Sequence, residues 1–245
     1  MTDEQGPSQP QDAQPQDAGA QDTGAQDAGP QAVPPAGGPD MNLGGYLTTA
    51  WNLVTGDFVL LVVGYLVVVA ILTIAGLTVI GPVIIAGPLM FGYFRVVQTR
   101  LKGEPATIGD VFQGFRDFGK GFLTALLLTL IALGVGVVAA ILMFIPVLGV
   151  LLSICIYLVV GPMFFFVMPI AALSEVSPTD AISRSVKFCF ANFWKMVLLS
   201  LVLGLIAMAG SLLCGIGALF TVPLAIVATV AAYNEYYLPK ARDAV

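Results

Sequence analysis

The sequence contains no histidine among its 245 residues, and only 10% of them are charged. The missing imidazoles exclude histidine-containing zinc sites and histidine-based acid–base catalysis. Ordinary soluble domains carry about 25% charged residues, so the low charge argues against a soluble domain. Three cysteines, Cys155, Cys189 and Cys214, lie far apart without metal-ligand spacing, which favours small apolar side chains. We expect no metal, no cofactor and no catalytic residue.

Basic residues are also missing from residues 1–40, which hold seven of the 15 acidic residues. This segment consists mostly of Gln, Asp, Ala, Pro and Gly, and it has too little apolar surface to offset the entropy of ordering. It lacks the basic and apolar regions of a signal peptide. We therefore predict a disordered tail over 1–40, acting as a spacer or binding a partner, and a short C-terminal tail over 241–245.

Apolar residues are abundant, at 58% of the chain. Charge is absent from three long runs, which lie between Asp57 and Arg95, between Lys120 and Glu175, and between Lys195 and Glu235. Each run can hold two spanning helices of about 20 residues, and lipid favours helices because backbone groups must be paired internally. The sequence therefore predicts an all-α, polytopic membrane domain over 41–240. Its six approximate spans are 58–79, 82–100, 121–144, 149–173, 193–213 and 218–238.

All ten Lys and Arg residues lie on one side of the three predicted hairpins. A hairpin begins and ends on the same side of the membrane, so both termini share the basic side. The opposite turns, near residues 81–82, 146–149 and 215–217, contain no base. Under the positive-inside rule the basic side is cytoplasmic. The chain is therefore predicted to lie in a cell inner membrane, with cytoplasmic N- and C-termini.

Each hairpin follows an amphipathic segment, and the three units form a weak internal repeat. GYLTTAWNLVTGDF (45–58) aligns with DAISRSVKFCFANF (180–193), and DVFQGFRDFGKGF (110–122) precedes the middle hairpin. On a helical wheel each segment separates an apolar face from a polar one. Thr107 with Asp110, and Ser177 before a proline, are helix-start signals. We predict three helices lying in the membrane interface.

The aromatic and basic residues of these linkers form the candidate lipid or partner surface. Its members are Trp51, Phe115, Arg116, Lys120, Arg184, Lys187, Trp194 and Lys195. Bases near anionic headgroups attract lipid, but the same helices would also serve as plain connections covering the end of the bundle. Nucleic-acid binding is not expected, because the Gly-Lys-Gly-Phe pattern of RNA-binding modules belongs on a strand of a soluble sheet.

The second helix of each hairpin contains a proline: Pro88, Pro162 and Pro223. Each removes one backbone hydrogen bond and is a candidate kink, and a break of this kind can also line a substrate route. Small residues four apart, such as Ala132, Gly136 and Ala140, allow close helix packing within the bundle or between copies.

The stretches AGPLMFGYFRVVQTRLKGEPATIGDVFQGFRDFGKGF (86–122) and ALSEVSPTDAISRSVKF (172–188) resemble the membrane domain of bacterial glycerophosphoryl diester phosphodiesterases. They also resemble related uncharacterised bacterial six-pass integral membrane families. The resemblance covers roughly residues 41–240. It implies a six-pass module accessory to lipid metabolism or to a partner protein, and no catalytic residue transfers, because the chemistry of those enzymes belongs to a separate soluble domain.

From these observations we expect a non-enzymatic integral membrane protein that acts as a scaffold, partner subunit or lipid-interacting module. The expected partners are membrane lipids, another protein or a second copy of the chain. The alternative is a passive transporter or channel for a small or lipidic solute.

Overall fold

The computed structural model describes residues 41–78, 80–145, 147–212 and 217–239, and all regular structure in these ranges is helical. The predicted tails, 1–40 and 241–245, lie outside the described residues. In chain order the elements are α1 (Leu43–Gly56), a π-helical turn (Val59–Val63) leading into α2 (Gly64–Ala75), α3 (Gly81–Leu101), a 3₁₀ helix (Ile108–Asp117), α4 (Phe118–Leu142), α5 (Leu148–Phe164), α6 (Val167–Leu173), α7 (Pro178–Ala191), α8 (Phe193–Leu212), and α9 (Ala218–Ala232) ending in a second π-helical turn (Tyr233–Tyr237). The all-α prediction is confirmed for these ranges.

Four stretches of the described chain are long and apolar enough to cross a bilayer: Ile108–Leu142, Leu148–Leu173, Phe193–Leu212 and Ala218–Tyr237. A fifth is added if the bent pair Leu43–Gly56 and Val59–Ala75 counts as one span. α3 is not among them, and its C-terminal turns carry Arg95 and Arg100. The structure thus gives four or five candidate spans, and the prediction of six is not confirmed.

α3 and α9 form the interior of the bundle. Leu89, Phe91 and Tyr93 of α3 are buried, and α9 is buried continuously from Pro223 to Ala232. α4 and α5 lie at the periphery, where most of their apolar side chains are exposed. Because α4 and α5 are the most apolar spans and the least covered, their outer faces suit a hydrocarbon environment.

α1 meets the helix that follows it at 90°. It buries Tyr46, Ala50 and Val54 and packs against α9. The apolar stripe of the first linker therefore faces the protein rather than lipid. The contact continues at the corner, where the ring of Phe58 stacks on Phe220 with centroids 6.4 Å apart.

The second linker is a 3₁₀ helix over 108–117, where the sequence pattern predicts an α-helix. It approaches α3 so closely that only glycine fits at the contact. A Cβ on Gly92 would lie 1.6 Å from the carbonyl oxygen of Val111, and one on Gly114 would lie 1.9 Å from that of Pro88. The tighter 3₁₀ winding places residues three apart in one row, which brings Val111 and Gly114 onto α3 together.

Local helix-start signals are confirmed at the second and third linkers. The backbone N–H of Thr107 donates to Oδ2 of Asp110 at 2.6 Å. The backbone N–H of Asp180 donates to Oγ of Ser177 at 3.1 Å, at the start of α7. Short-range hydrogen bonds of this kind fix where a helix begins.

The three candidate kink residues each lie inside a helix. Pro88 is in α3, Pro162 in α5 and Pro223 in α9. α5 ends two residues after Pro162, and α6 begins at Val167. All three prolines are buried, and their role as kinks stays a prediction.

Candidate functional site

One row of the 3₁₀ helix docks the second linker onto the bundle. Residues three apart eclipse one another in this helix type, so Val111, Gly114 and Asp117 form the inward row. Val111 and Gly114 are buried. Asp117 pairs with the guanidinium of Arg95 on α3, whose Nε also donates to the carbonyl of Ala172 at 3.2 Å. An apolar contact and an ion pair therefore hold this linker in place together.

A second row of the same helix carries phenylalanines that point away from the bundle, and Phe118, the first residue of α4, continues this row. Phe112, Phe115 and Phe118 are 46%, 37% and 39% exposed. Their rings stack in sequence, with centroids 6.5 Å and 6.3 Å apart, and Phe122 continues the series at 6.0 Å. The predicted single apolar face is thus divided, because Val111 packs inward while the phenylalanines form an exposed ladder.

The third row is polar. The side-chain amide of Gln113 donates to Oδ1 of Asp110 at 2.6 Å, and Arg116 follows in the same row with an exposed side chain. Of the predicted surface residues in this linker, Phe115 and Arg116 are therefore on neighbouring exposed rows. An aromatic beside a base is the arrangement that suits a membrane interface.

Lys120 is engaged with the protein rather than presented to the outside. Its Nζ donates to the carbonyl of Ser174 at 2.6 Å, and Ser174 is the C-terminal cap of α6. A cation at this place complements the unpaired carbonyls and the negative end of the helix. Oγ of Ser174 in turn lies 2.7 Å from the hydroxyl of Tyr233. This chain of contacts joins the second linker, the start of the third linker and the end of α9.

The third linker presents two exposed bases. Arg184 and Lys187 on α7 are exposed, whereas Ser185 between them is buried and donates to the carbonyl of Met163 at 2.8 Å. α7 is thereby fastened to the end of α5. Its bases face away from that contact, as an amphipathic helix requires.

The two tryptophans lie in different surroundings. Trp51 on α1 is 54% exposed, and its ring meets Phe220 edge-on with centroids 5.6 Å apart. Trp194, at the start of α8, is 80% exposed. The neighbouring Lys195 is half-buried, with Nζ 6.0 Å from the ring centre of Tyr236. The predicted surface set is therefore not one patch: its exposed basic members are Arg116, Arg184 and Lys187.

Two further polar pairs tie the basic end of α3 to its neighbours. Arg100 holds the carboxylate of Asp57 with Nη2 2.6 Å from Oδ2. The side-chain amides of Gln98 and Asn234 exchange two hydrogen bonds, of 3.0 Å and 2.8 Å. Sequence reasoning missed these contacts. Bases at the end of an otherwise apolar helix indicate that partners are needed, but they do not indicate which residues supply them.

A cavity of about 660 Å³ lies between α5, α8 and α9. Its lining is overwhelmingly apolar, and it includes Gly161 of α5 and Gly204 of α8. A Cβ added at either glycine would meet nothing within 4 Å. Neither glycine contributes a side chain to the lining of the cavity.

The described cysteines do not form a site. Cys155 is exposed on α5, and Cys189 is buried in α7, where burial raises the pKa of its thiol. Cys214 lies outside the described residues. Among the residues that the structure describes, no three His, Cys, Asp or Glu side chains are grouped so that they could hold a metal ion.

No protein-family model matches this chain, and no curated protein or solved structure matches it significantly. The resemblance to phosphodiesterase membrane domains therefore stays a prediction.

Proposed function

We propose that this chain is a non-enzymatic integral membrane protein that acts as a lipid-interacting module. In this proposal three hairpins give six spans in a cell inner membrane. The basic ends and both termini are cytoplasmic, and the linkers meet the headgroups of that leaflet. The predicted resemblance to the membrane domain of glycerophosphoryl diester phosphodiesterases fits such a role beside lipid metabolism.

The observation that carries the proposal is the exposure of Arg116, Arg184 and Lys187 next to exposed aromatic side chains. The two ion pairs among the described residues use Arg95 and Arg100 instead. Each base near an anionic leaflet contributes about 1 kcal/mol. Three exposed bases with a phenylalanine ladder therefore favour contact with anionic headgroups.

The division of roles within the linkers narrows the proposed surface. Lys120 and the Val111 row serve the bundle, which supports the interpretation of these segments as covering helices at those positions. Within the described part of the chain, the side chains of Phe115, Arg116, Arg184 and Lys187 make no hydrogen bond or ion pair of this kind to the bundle. The lipid surface we propose is limited to these side chains and to the exposed Trp194 at the start of α8.

A passive route for a solute is the second candidate, and the cavity between α5, α8 and α9 is the feature that favours it. Its apolar lining supports a lipidic solute over a small polar one, because a polar solute would lose its water without gaining partners. A protein partner or a second copy on the exposed faces of α4 and α5 would instead support the scaffold version.

The test uses Trp194 as a reporter in a W51F variant, which leaves it the only tryptophan, since the chain has two. The protein is reconstituted into vesicles containing dibrominated phospholipid, which quenches nearby tryptophan fluorescence. Quenching is compared between a brominated anionic lipid and a brominated zwitterionic lipid. We expect the anionic lipid to quench more strongly, and 0.5 M salt to reduce the difference because it screens exposed charges.

The decisive variant is R116Q/R184Q/K187Q, which should remove most of the anionic preference. The matched control, R116K/R184K/K187R, keeps all three charges and should behave like the parent. Equal quenching by the two lipids in the parent, or an unchanged preference in the neutralised variant, would reject the lipid surface. If the neutralised variant keeps its lipid preference but changes its oligomeric state, the result favours the scaffold version.

A further inference from the structure

The point where residues 1–40 join the described fold lies close to the end of α9. α1 begins at Leu43, shortly after this segment, and packs against α9. Tyr46, in the first turn of α1, lies near enough to Glu235 for the two side chains to interact electrostatically. Glu235 belongs to the π-helical turn Tyr233–Tyr237. The acidic segment therefore leaves the fold beside this turn.

The same turn holds the helix that carries two of the exposed bases. Arg184 lies one helical turn before Phe188 on α7, and Lys187 is the residue next to it. The ring of Phe188 packs on that of Tyr237 with centroids 4.9 Å apart. The bases of α7 are thus presented at the end of the bundle from which residues 1–40 emerge.

The positive charge of the exposed bases is not balanced within the fold. Four aspartates of the described chain already have partners there: Asp57, Asp110, Asp117 and Asp180. Arg116, Arg184 and Lys187, in contrast, form no hydrogen bond or ion pair with any described residue. Their charges are therefore available to acidic groups from beyond the described ranges.

The acidic groups that the chain itself can supply are concentrated in residues 1–40. This segment has seven acids and no base, and four of the acids recur at intervals of five: Asp12, Asp17, Asp22 and Asp27. A chain of the predicted disordered kind spans about 30 Å over 30 residues, which is about the diameter of a small domain. The repeated acids are thus within reach of the exposed bases.

Tethering makes such weak contacts sufficient. A single exposed ion pair contributes little, because both side chains are hydrated and screened by salt. A segment attached to the same chain, however, is held at an effective concentration in the millimolar range. Several acids in series can also replace one another at each base, so the contact does not depend on any one of them.

We infer that residues 1–40 dock on the surface formed by Arg116, Arg184 and Lys187 and occupy it when anionic lipid is absent. The acidic segment and anionic headgroups are attracted to the same three cations, so each displaces the other. The docking needs no lipid. Only its displacement by lipid rests on the proposed function.

Carbodiimide coupling of the whole chain in a nonionic detergent without lipid tests the docking. The reagent joins a carboxylate to a nearby lysine amine as an amide and takes up the water that is lost. Mass spectrometry then compares cross-links from residues 1–40 to Lys187 with those to Lys102. Lys102 is an exposed lysine in the loop after α3, next but one to Glu104, and reports unselective collision. We expect about fivefold more coupling at Lys187, and 0.5 M salt should remove the excess.

The decisive variant is R116Q/R184Q, which leaves Lys187 and every carboxylate in place. Its excess of coupling at Lys187 should fall about threefold, because two of the three attracting charges are gone. The matched control, R116K/R184K, should keep the excess and gain cross-links at positions 116 and 184. Equal coupling at Lys187 and Lys102 in the parent, or an unchanged excess in R116Q/R184Q, would overturn the inference.

A mixture of ¹⁵N-labelled and unlabelled protein shows which copy supplies the acidic segment. We expect cross-links only between peptides of the same label. If cross-links between labelled and unlabelled peptides are as frequent as chance pairing allows, the segment docks on a second copy and the intramolecular assignment is wrong.

The lipid arm separates this inference from the proposed function. Vesicles with phosphatidylglycerol should lower the coupling at Lys187 relative to vesicles of phosphatidylcholine alone, and equal coupling would reject the competition. In the W51F background, D12N/D17N/D22N/D27N should raise the preference for quenching by anionic lipid about twofold, whereas the matched D12E/D17E/D22E/D27E should not. Excess coupling at Lys187 without any anionic preference supports the docking and rejects the lipid surface. Anionic preference with equal coupling at the two lysines rejects the docking and supports the lipid surface.

Discussion

The guanidinium of Arg100 forms a bidentate ion pair with the carboxylate of Asp57, with Nε 2.8 Å from Oδ2 and Nη2 2.8 Å from Oδ1. The two residues are 43 positions apart in the sequence. Both side chains are largely covered, at 13% and 23% exposed. Asp57 is the corner residue between α1 and the next helix, which meet at 90°. The pair thus fixes the end of α3 against that corner.

Breaking this pair should destabilise the fold. For R100Q we expect a loss of about 1.5–3 kcal/mol, the range for hydrogen bonds to charged groups, measured as a lower free energy of unfolding in detergent. D57N should cost a similar amount, and R100Q/D57N less than the sum of the two, because each single change leaves a partner unpaired. R184Q, at an exposed site, is the control. Additive losses would contradict a direct coupling.

Gly92 and Gly114, at which α3 and the 3₁₀ helix touch, should not tolerate replacement by a residue with a side chain. G92A and G114A place a methyl group within 2 Å of a backbone oxygen, so the helices must separate at a cost of about 1–3 kcal/mol or more. G119A is the matched control, since its methyl group meets nothing within 4 Å. Thermal unfolding should show lower midpoints for the first two variants only. If the unfolding midpoint of G92A equals that of the parent, the two helices are packed less closely than the structure shows.

The topology can be tested with single cysteines in a background where Cys155, Cys189 and Cys214 are replaced by alanine. L77C and F144C lie in turns whose native side chains are 87% and 88% exposed, and E104C lies in the loop after α3. In intact cells, a membrane-impermeant maleimide should label the first two and not E104C. Labelling of L77C and E104C from the same side would mean that α3 does not cross, and six spans would be wrong.

Cys189 should react slowly and only at high pH. Burial raises the pKa of its thiol, and the thiolate is the reactive form. In a C155A/C214A variant, we expect the alkylation rate to rise with pH at a midpoint above the ordinary value of about 8.5. The contribution of the buried neutral thiol to the free energy of unfolding is fully present below the ordinary pKa of about 8.5. It declines as the pH rises above that pKa. E104C in the background without native cysteines lies in an exposed loop, is the control, and should be alkylated faster. Equal rates at neutral pH would contradict the burial.

Local signals in the sequence predict the start or extent of several helices, although not the 3₁₀ winding of the second linker. The predicted span 193–213 compares with α8 at Phe193–Leu212, and Ser177 caps α7 as expected. Such features depend on residues within a few positions of one another, so a pattern of apolar runs, caps and turns contains them. The number of membrane spans is harder to predict, because α3 is less apolar than the candidate spans and is stabilised by protein contacts.

Contacts between distant segments could not be predicted from the sequence. Arg95 reaches Asp117 and Ala172, 22 and 77 residues away, and no periodicity relates those positions. The candidate surface includes Lys120, and no local pattern indicates that its Nζ donates to the carbonyl of Ser174, 54 residues away. The cavity was missed for the same reason, because it exists only where three helices meet. Gly114, which follows Val111 in the inward row, is a local hint of close helix approach.

The main-chain contact between α3 and the 3₁₀ helix bears on whether the chain can be split into two fragments at the loop between them. The loop that joins them is exposed over residues 102–105 and turns at Gly103 with φ of +78°. Because backbone packing and the Arg95–Asp117 pair hold the two helices together, their association does not depend on the peptide link alone. Two co-expressed fragments, 1–104 and 105–245, should therefore still associate, as co-purification would show.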